Sequence, residues 1–158
     1  MSNLVTFLES EPRTISAETT LRATPEQVYA LVANPANHAE LDGGGTVRSL
    51  RTGQDGLVSV GDKFWQNMVL GIPYTLPMTV TRAETNRAVT WRHPAGHTWG
   101  WEIDDHHDGT VTVRETFDAS EAGVFGLSPA PLYAVLGSFA ANRKNIALTL
   151  ANLHRIFD

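Results

Sequence analysis

The stretch HTWGWEIDDHHDGTVTVRETFD, residues 97–118, decides the fold of this chain, because two alternating runs flank a turn sequence. Successive side chains of a strand point to opposite faces. One face of the two runs therefore collects every second residue: His97, Trp99, Trp101, Ile103, Val111, Val113, Glu115 and Phe117. Asp108-Gly109 is typical of a tight turn, so the two runs are predicted to pair as an antiparallel hairpin.

The shared face of this hairpin differs from an ordinary core surface. A core strand prefers Val, Ile and Leu, whereas this face carries two indoles, an imidazole and a carboxylate. A wide aromatic surface with a few polar groups is typical of a ligand pocket. The hairpin therefore indicates a small-molecule site without identifying the molecule.

Short alternating runs also precede the hairpin. They predict strands over Arg13–Arg22, Val47–Arg51, Lys63–Leu70, Tyr74–Glu84 and Arg87–His93, with a turn at Gly71-Ile72-Pro73 between two of them. Successive short connections require antiparallel pairing. Residues 1–12 are weakly patterned and are expected to fray or to add to a sheet edge.

Helix signals stand before and after these strands. Thr24-Pro25-Glu26-Gln27 combines an N-cap, a proline at the first helical position and a Gln three residues after the cap. A second short helix is predicted over Ala36–Leu41. The longest helix is predicted over residues 129–156, capped by Ser128, because apolar residues recur there at helical spacing. These elements predict an α+β domain: a curved antiparallel sheet that grips a C-terminal helix.

The composition excludes several classes of protein. The formal net charge is −5, from 12 basic and 17 acidic residues, and no basic stripe suited to nucleic acid is present. No run approaches the roughly 20 apolar residues of a membrane span, so no membrane insertion is expected. The chain has no Cys and no readable signal peptide. We expect one domain over residues 1–158, in the cytoplasm.

The order of the elements and several local motifs resemble the START / Bet v 1-like (SRPBCC) superfamily, often described as polyketide cyclase/dehydrase and lipid transport. The resemblance runs from about Arg13 onward. It rests on Ile15–Leu21, Ala23–Tyr29, Asn34–His38, Val60–Phe64, Val80–Trp91, Gly109–Asp118 and the C-terminal helix. It implies a helix-grip fold: a seven-stranded curved antiparallel sheet wrapped on a long C-terminal helix, with two short helices after the first strand. It also implies a deep, mostly apolar cavity under that helix. The superfamily contains both carriers and cyclases and has no shared catalytic signature.

A set of mostly aromatic residues is predicted to line this cavity. The predicted ligand-binding residues are Trp91, Trp99, Trp101, Met78, Asn67, Gln66, Phe117, Tyr133 and Leu136. Gln66 and Asn67 lie on opposite faces of one strand, and the sequence leaves open which of them points inward. His38, like Tyr133, fits either a cavity mouth or ordinary helix packing.

His97 and Glu115 are the candidate catalytic residues. A carboxylate on an apolar face is costly unless it is paired or neutralised, and desolvation raises its pKa. Such a group can act as acid or base on a bound carbonyl compound. The alternative is that Glu115 lies near the rim, or bonds to Arg82, Arg92 or an indole.

The run Asp104–Asp108 contains metal-binding residue types, but neighbouring turn residues seldom converge on one ion, and turns favour Asp for backbone bonding. No metal site and no cofactor is therefore predicted. The sequence predicts binding of a small hydrophobic or aromatic, polyketide- or lipid-like molecule. A cyclase/dehydratase-type or hydrolase-like activity in the same cavity is the alternative, and a homodimer is left open.

Overall fold

The strands pair in antiparallel fashion along the whole sheet. The structure, a computed structural model, describes residues 4–9, 13–42, 47–52, 56–70, 72–94, 96–120 and 139–157. The strands are β1 (Thr6–Phe7), β2 (Thr14–Leu21), β3 (Val47–Thr52), β4 (Lys63–Leu70), β5 (Ile72–Glu84), β6 (Ala88–Arg92), β7 (Thr98–Asp105) and β8 (Val111–Asp118). Within the described residues they form an eight-stranded sheet in the order β1-β2-β8-β7-β6-β5-β4-β3.

The seven predicted strands are all present as β2 to β8. The short strand β1 adds an eighth at the edge, where it pairs with β2. The turn predicted at Gly71-Ile72-Pro73 is shorter than expected, because β4 and β5 stay in register up to the Leu70 and Ile72 pair. Ile72 and Pro73 therefore belong to β5.

The first helix begins where its capping sequence predicts, and the second predicted short helix, Ala36–Leu41, is present as a 3-10 turn followed by a short α-helix. The helices are α1 (Pro25–Val32), a 3-10 turn (Pro35–Asn37), α2 (His38–Leu41) and α3 (Phe139–Phe157). At the start of α1, the Thr24 hydroxyl accepts from the Gln27 amide at 3.2 Å, and the Gln27 side chain accepts from the Thr24 amide at 2.9 Å. This reciprocal pair satisfies two of the amides that a helix start leaves without partners. Ser128 and the predicted helix start at 129 lie outside the described residues.

Helix α3 covers one face of the sheet. Its buried stripe consists of Ile146, Thr149, Leu150 and Leu153, and its main contacts are with β2. The Asn152 amide reaches the Leu41 carbonyl at 3.5 Å, which joins α3 to the end of α2. The sheet face under α2 and α3 is called the inner face below, and the opposite one the outer face. The helix-grip arrangement is confirmed.

The outer face is polar, and side-chain hydrogen bonds join its neighbouring strands. The hydroxyls of Ser16 and Thr116 lie 2.9 Å apart, and Arg114 donates to Glu18 at 3.0 Å. Both contacts join β2 to β8, whose register is continuous over eight residue pairs. Alternation along each strand then directs the neighbours of these residues to the inner face.

Candidate functional site

Two cross-strand rows form the centre of the inner face. The first row runs Ile15, Phe117, Trp99, Trp91, Val80 from β2 to β5. The second row runs Ala17, Glu115, Trp101, Val89 from β2 to β6. All of these side chains are buried except Trp99, which is partly exposed and packs on Phe117 with ring centroids 4.8 Å apart. The predicted hairpin is therefore present, and its register places Trp101 beside Glu115.

A cluster of rings occupies the β6 side of the first row. His38, at the start of α2, stacks on Trp91 with ring centroids 4.5 Å apart, and both rings make T-shaped contacts with Phe64 at an interplanar angle of 71°. The His38 Nε2 lies 3.2 Å from the Val32 carbonyl oxygen. Burial lowers the pKa of His38 to about 4, so the ring is neutral at neutral pH, and its Nε2–H donates to that carbonyl. Helix packing, rather than a cavity mouth, accounts for His38.

A second pair of imidazoles lies at the turn between β6 and β7. His93 and His97 stack with centroids 4.1 Å apart, and the His97 ring contacts Phe117 at 5.2 Å. Burial lowers the pKa of His93 to about 4. Burial, and then the charge of His93, lowers that of His97 to about 3. The His97 Nδ1 is buried and has no hydrogen-bond partner among the described residues.

Glu115 lies deep in the second row rather than at a rim. Its side chain is 6% exposed, and its Oε2 has no hydrogen-bond partner within the described part of the chain. Burial raises the pKa of Glu115 well above its usual value, and the Asp42 carboxylate at the end of α2 raises it further. The alternative partners are engaged elsewhere: Arg82 bonds to Glu84, and Arg92 lies on the outer face beside Thr79.

The two candidate catalytic residues share the inner face but not one point on it. His97 directly precedes β7, whose first pair is Thr98 with Asp118, so it is four residues from Glu115 in register. Four residues of strand correspond to about 13 Å between Cα atoms. The Trp99 and Phe117 pair lies between them. The two polar groups therefore lie at the two ends of an aromatic pair.

The open choice on β4 is resolved by two hydrogen bonds. Gln66 is 2% exposed, and its amide donates to the Pro35 carbonyl at 3.3 Å, so Gln66 faces inward. Asn67 accepts from the Thr75 hydroxyl at 2.9 Å on the outer face. The predicted ligand residue Met78 is buried on the inner face opposite Phe64. Tyr133 and Leu136 lie outside the described residues.

A separate groove of about 330 Å³ lies on the outer face, beside the β6–β7 turn. It is lined by Lys63, Pro77, Thr79, Arg92, His93, Pro94 and Gly96. The four strand residues in this lining, Lys63, Pro77, Thr79 and Arg92, each directly adjoin one of the inner-face residues Phe64, Met78 and Trp91 along the strand. The groove is therefore distinct from the aromatic rows.

The acidic turn between β7 and β8 makes local hydrogen bonds. The Asp105 carboxylate accepts from the His107 amide at 2.9 Å, and Asp108 accepts from the Thr110 amide at 3.0 Å. Within the described ranges, no group of three or more His, Asp or Glu side chains is arranged to hold a metal ion.

Sequence reasoning missed the role of Asp42 and left that of His38 undecided. Asp42 directly follows α2, and only its approach to Glu115 from the helix layer makes it relevant. In the sequence, Asp42 was identified only as the residue that follows the second predicted short helix, Ala36–Leu41. The stacking of His38 on Trp91 could not be predicted from the periodicity of apolar residues, because the two residues are far apart in the chain.

The comparisons with known proteins agree with this architecture. The family described as polyketide cyclase / dehydrase and lipid transport matches residues 12–154. An uncharacterized protein of Mycobacterium tuberculosis is 38% identical over 152 residues, which cover 94% of this chain and 66% of the relative. The chain thus spans slightly less than two thirds of that relative's length.

Two solved structures share the fold at low sequence identity. A Mycobacterium smegmatis protein has a TM-score of 0.66 at 13% identity, covering 94% of this chain and 96% of its own. The di-domain ARO/CYC StfQ from the steffimycin biosynthetic pathway has a TM-score of 0.61 at 13% identity, covering 98% of this chain and 51% of its own. Among the described helices, none is both long and apolar enough to cross a membrane.

Proposed function

We propose that this chain, which belongs to the polyketide cyclase / dehydrase and lipid transport family, binds a small hydrophobic, aromatic molecule against the inner face of its sheet. The chemistry of the face supports this proposal. Three indoles, at Trp91, Trp99 and Trp101, lie on adjacent strands under the helix layer. Flat rings favour offset-stacked or edge-on contacts with other rings, so such a face suits a planar aromatic ligand.

One observation carries the proposal. The inner face holds two buried polar atoms, His97 Nδ1 and Glu115 Oε2, that find no hydrogen-bond partner in the part of the chain that the structure describes. Most buried polar atoms of native proteins are satisfied, and leaving one unsatisfied costs about 1–3 kcal/mol. A ligand that supplies the missing partners offsets that cost, whereas a purely structural core has no reason to keep both groups.

Tryptophan fluorescence tests the proposal directly. Trp65 lies on the outer face and is 43% exposed, so it would report nonspecific surface contacts. The Trp65→Phe variant leaves only the three inner-face indoles as reporters. We expect saturable quenching of this variant by members of a panel of aromatic, polyketide-like and lipid molecules. No saturable response across the panel would contradict ligand binding at this face.

A second candidate function is proton-transfer catalysis by His97 and Glu115 on the bound molecule. The observation that favours it is the location of the two polar groups at the ends of the Trp99 and Phe117 pair, since a flat ligand long enough to span that pair would contact both. Acid/base catalysis of this kind contributes about 10²–10⁴-fold in rate. The Glu115→Gln variant should then abolish turnover while ligand affinity changes by less than about tenfold, or about 1.4 kcal/mol. Unchanged turnover in that variant would exclude proton transfer by Glu115 and leave ligand binding as the only proposed function.

A further inference from the structure

We propose that Glu115 meets the ligand as an uncharged acid that donates a hydrogen bond, so that the ligand places a carbonyl-type acceptor oxygen, and no charge, beside Trp101. This inference rests on the proposed binding function and specifies the class of ligand. The candidates are aromatic ketones, quinones, esters and lactones, as opposed to aromatic acids and amines.

The immediate neighbours of Glu115 are neutral. Its cross-strand partners are Ala17 and Trp101, and the residues that share its face on β8 are Val113 and Phe117. Each of these side chains is at most 3% exposed. The surroundings are therefore dry and apolar, which favours the neutral form of a carboxyl group.

The titratable groups that face Glu115 also favour its neutral form. From the helix layer, the Asp42 carboxylate opposes a second negative charge. The buried residues of α3 are neutral: Ile146, Thr149, Leu150 and Leu153. His97 lies beyond Phe117 and is itself held neutral by burial. Arg114, the next residue, points to the outer face and bonds to Glu18. Among the described residues, no positive charge therefore stabilises a Glu115 carboxylate.

A protonated carboxyl group has one O–H to donate. Gln66, a buried polar side chain of β4, donates to the Pro35 carbonyl, whereas the Glu115 Oε2 has no such acceptor in the described ranges. An acceptor oxygen on the ligand completes this bond. A ligand carboxylate would bring a negative charge toward Asp42 in a dry site, which is unfavourable.

A matched set of four probes tests the inference: 2-acetylnaphthalene, 2-ethylnaphthalene, 2-naphthoate and 2-(aminomethyl)naphthalene. The ring is constant, and only the head group changes from acceptor to apolar, anionic and cationic. We expect the ketone to bind about 3- to 10-fold more tightly than the ethyl compound at pH 7, the range of one neutral hydrogen bond. The anion and the cation should bind more weakly than the ketone.

Three variants isolate the role of the carboxyl group. Glu115→Leu should remove the preference for the ketone over the ethyl compound, whereas Glu115→Gln, which keeps an N–H donor, should retain part of it. Glu102→Gln on the outer face of β7 is the matched control, since Glu102 is exposed and should leave all four affinities unchanged. In the native protein, the ketone preference should fall as the pH rises toward the raised pKa of Glu115. In Glu115→Gln the preference should be independent of pH.

The outcomes separate this inference from the proposed function. Binding of all four probes without a head-group preference overturns the inference and leaves ligand binding intact. Tightest binding of the amine, strengthening as the pH rises, shows a carboxylate that pairs with a cation and also overturns it. No binding of any probe, together with no saturable quenching by the wider panel, overturns both. A ¹³C carboxyl shift of Glu115 typical of a carboxylate at pH 7 overturns the inference without any ligand.

Discussion

Arg114 and Glu115 are neighbours in the chain but lie on opposite faces of β8. Arg114 is half-buried on the outer face, where its guanidinium donates to Glu18 at 3.0 Å across the strand pair. Glu115 is 6% exposed on the inner face, and its cross-strand neighbours are Ala17 and Trp101. The two side chains differ in whether the fold itself supplies a partner.

This difference distinguishes polar groups that the fold itself hydrogen-bonds from polar groups that are left for a ligand. On the outer face, hydroxyls and charges pair across β2 and β8, although the Arg114 Nε is itself buried without a partner among the described residues. On the inner face a polar group is either bonded by the fold, as His38 and Gln66 are, or left open, as Glu115 is. Only the second kind indicates a ligand. The variants below test that distinction.

Truncation of a bonded inner-face group should have the largest effect. His38→Ala removes a ring stacked on Trp91 and leaves the Val32 carbonyl without its donor. We expect a loss of about 3 kcal/mol in the free energy of unfolding, measured by urea denaturation. His38→Phe should retain the ring contacts and recover part of this loss. His107→Asn, at an exposed turn position, should stay within about 0.5 kcal/mol of the native protein.

Replacement of Glu115, the inner-face group without a partner among the described residues, should instead stabilise the fold above neutral pH. The folded-state pKa of Glu115 is raised well above its usual value of about 4.5, so the unfolded chain ionises first as the pH rises. The stability that the acid contributes is therefore present below about pH 4.5 and is lost as the pH increases toward the folded-state pKa. We expect Glu115→Gln to match the native protein near pH 4 and to exceed its free energy of unfolding by about 1–3 kcal/mol at pH 8.

The difference between the two proteins is the quantity to measure. His38, His93 and His97 have pKa values lowered to between about 3 and about 4, so they add stability as the pH rises from there to 6.5, in the opposite direction to Glu115. Their contribution is common to both proteins and cancels in the difference. A Glu115→Gln variant that is equally less stable at every pH would contradict an unpaired, neutral acid.

A tight contact on the outer face should have a moderate effect. A Cβ added at Gly100 would lie 2.9 Å from the Thr90 hydroxyl, so Gly100→Ala forces that side chain to move. We expect a loss of about 1 kcal/mol. The double variant with Thr90→Ala should recover most of it, because the clashing atoms are then absent. Simple additivity of the two single variants would show that the contact does not limit this position.

Removal of the ion pair between Arg114 and Glu18 on the outer face should have the smallest effect on the free energy of unfolding. Glu18→Gln removes the partner of Arg114, whose side chain is 37% exposed. Exposed ion pairs contribute about 0–1 kcal/mol, and salt screens them. We expect a loss of less than 1 kcal/mol in dilute buffer, which disappears in about 1 M NaCl. A larger loss of stability that is insensitive to salt would show that water does not screen this ion pair.

The sequence was sufficient for the local features of the fold. Alternation around Asp108-Gly109 predicted the antiparallel hairpin, and Thr24-Pro25-Glu26-Gln27 predicted the start of α1, since both depend on residues close in the chain. The inward direction of Gln66 could not be predicted, because Phe64 and Trp65 make both faces of β4 apolar. That choice depends on the Pro35 carbonyl, which a distant turn brings into reach.

The functional site depends more heavily on such distant contacts. The aromatic composition of the inner face could be predicted, but the isolation of Glu115 could not. Its environment depends on Asp42 from the helix layer and on the direction of Arg114 away from the core. Both follow from how the sheet and the helices pack, which periodicity along the chain does not report.

The most direct test of ligand binding at the inner face uses the four indole N–H signals in a ¹⁵N-labelled sample, assigned by single Trp→Phe variants. Trp91, Trp99 and Trp101 report the inner face, and Trp65 reports the outer face within the same molecule. Titration with 2-acetylnaphthalene should shift the Trp99 and Trp101 signals saturably and leave the Trp65 signal in place. A shift confined to Trp65, or four unchanged signals at saturating probe, would contradict a ligand site on the inner face.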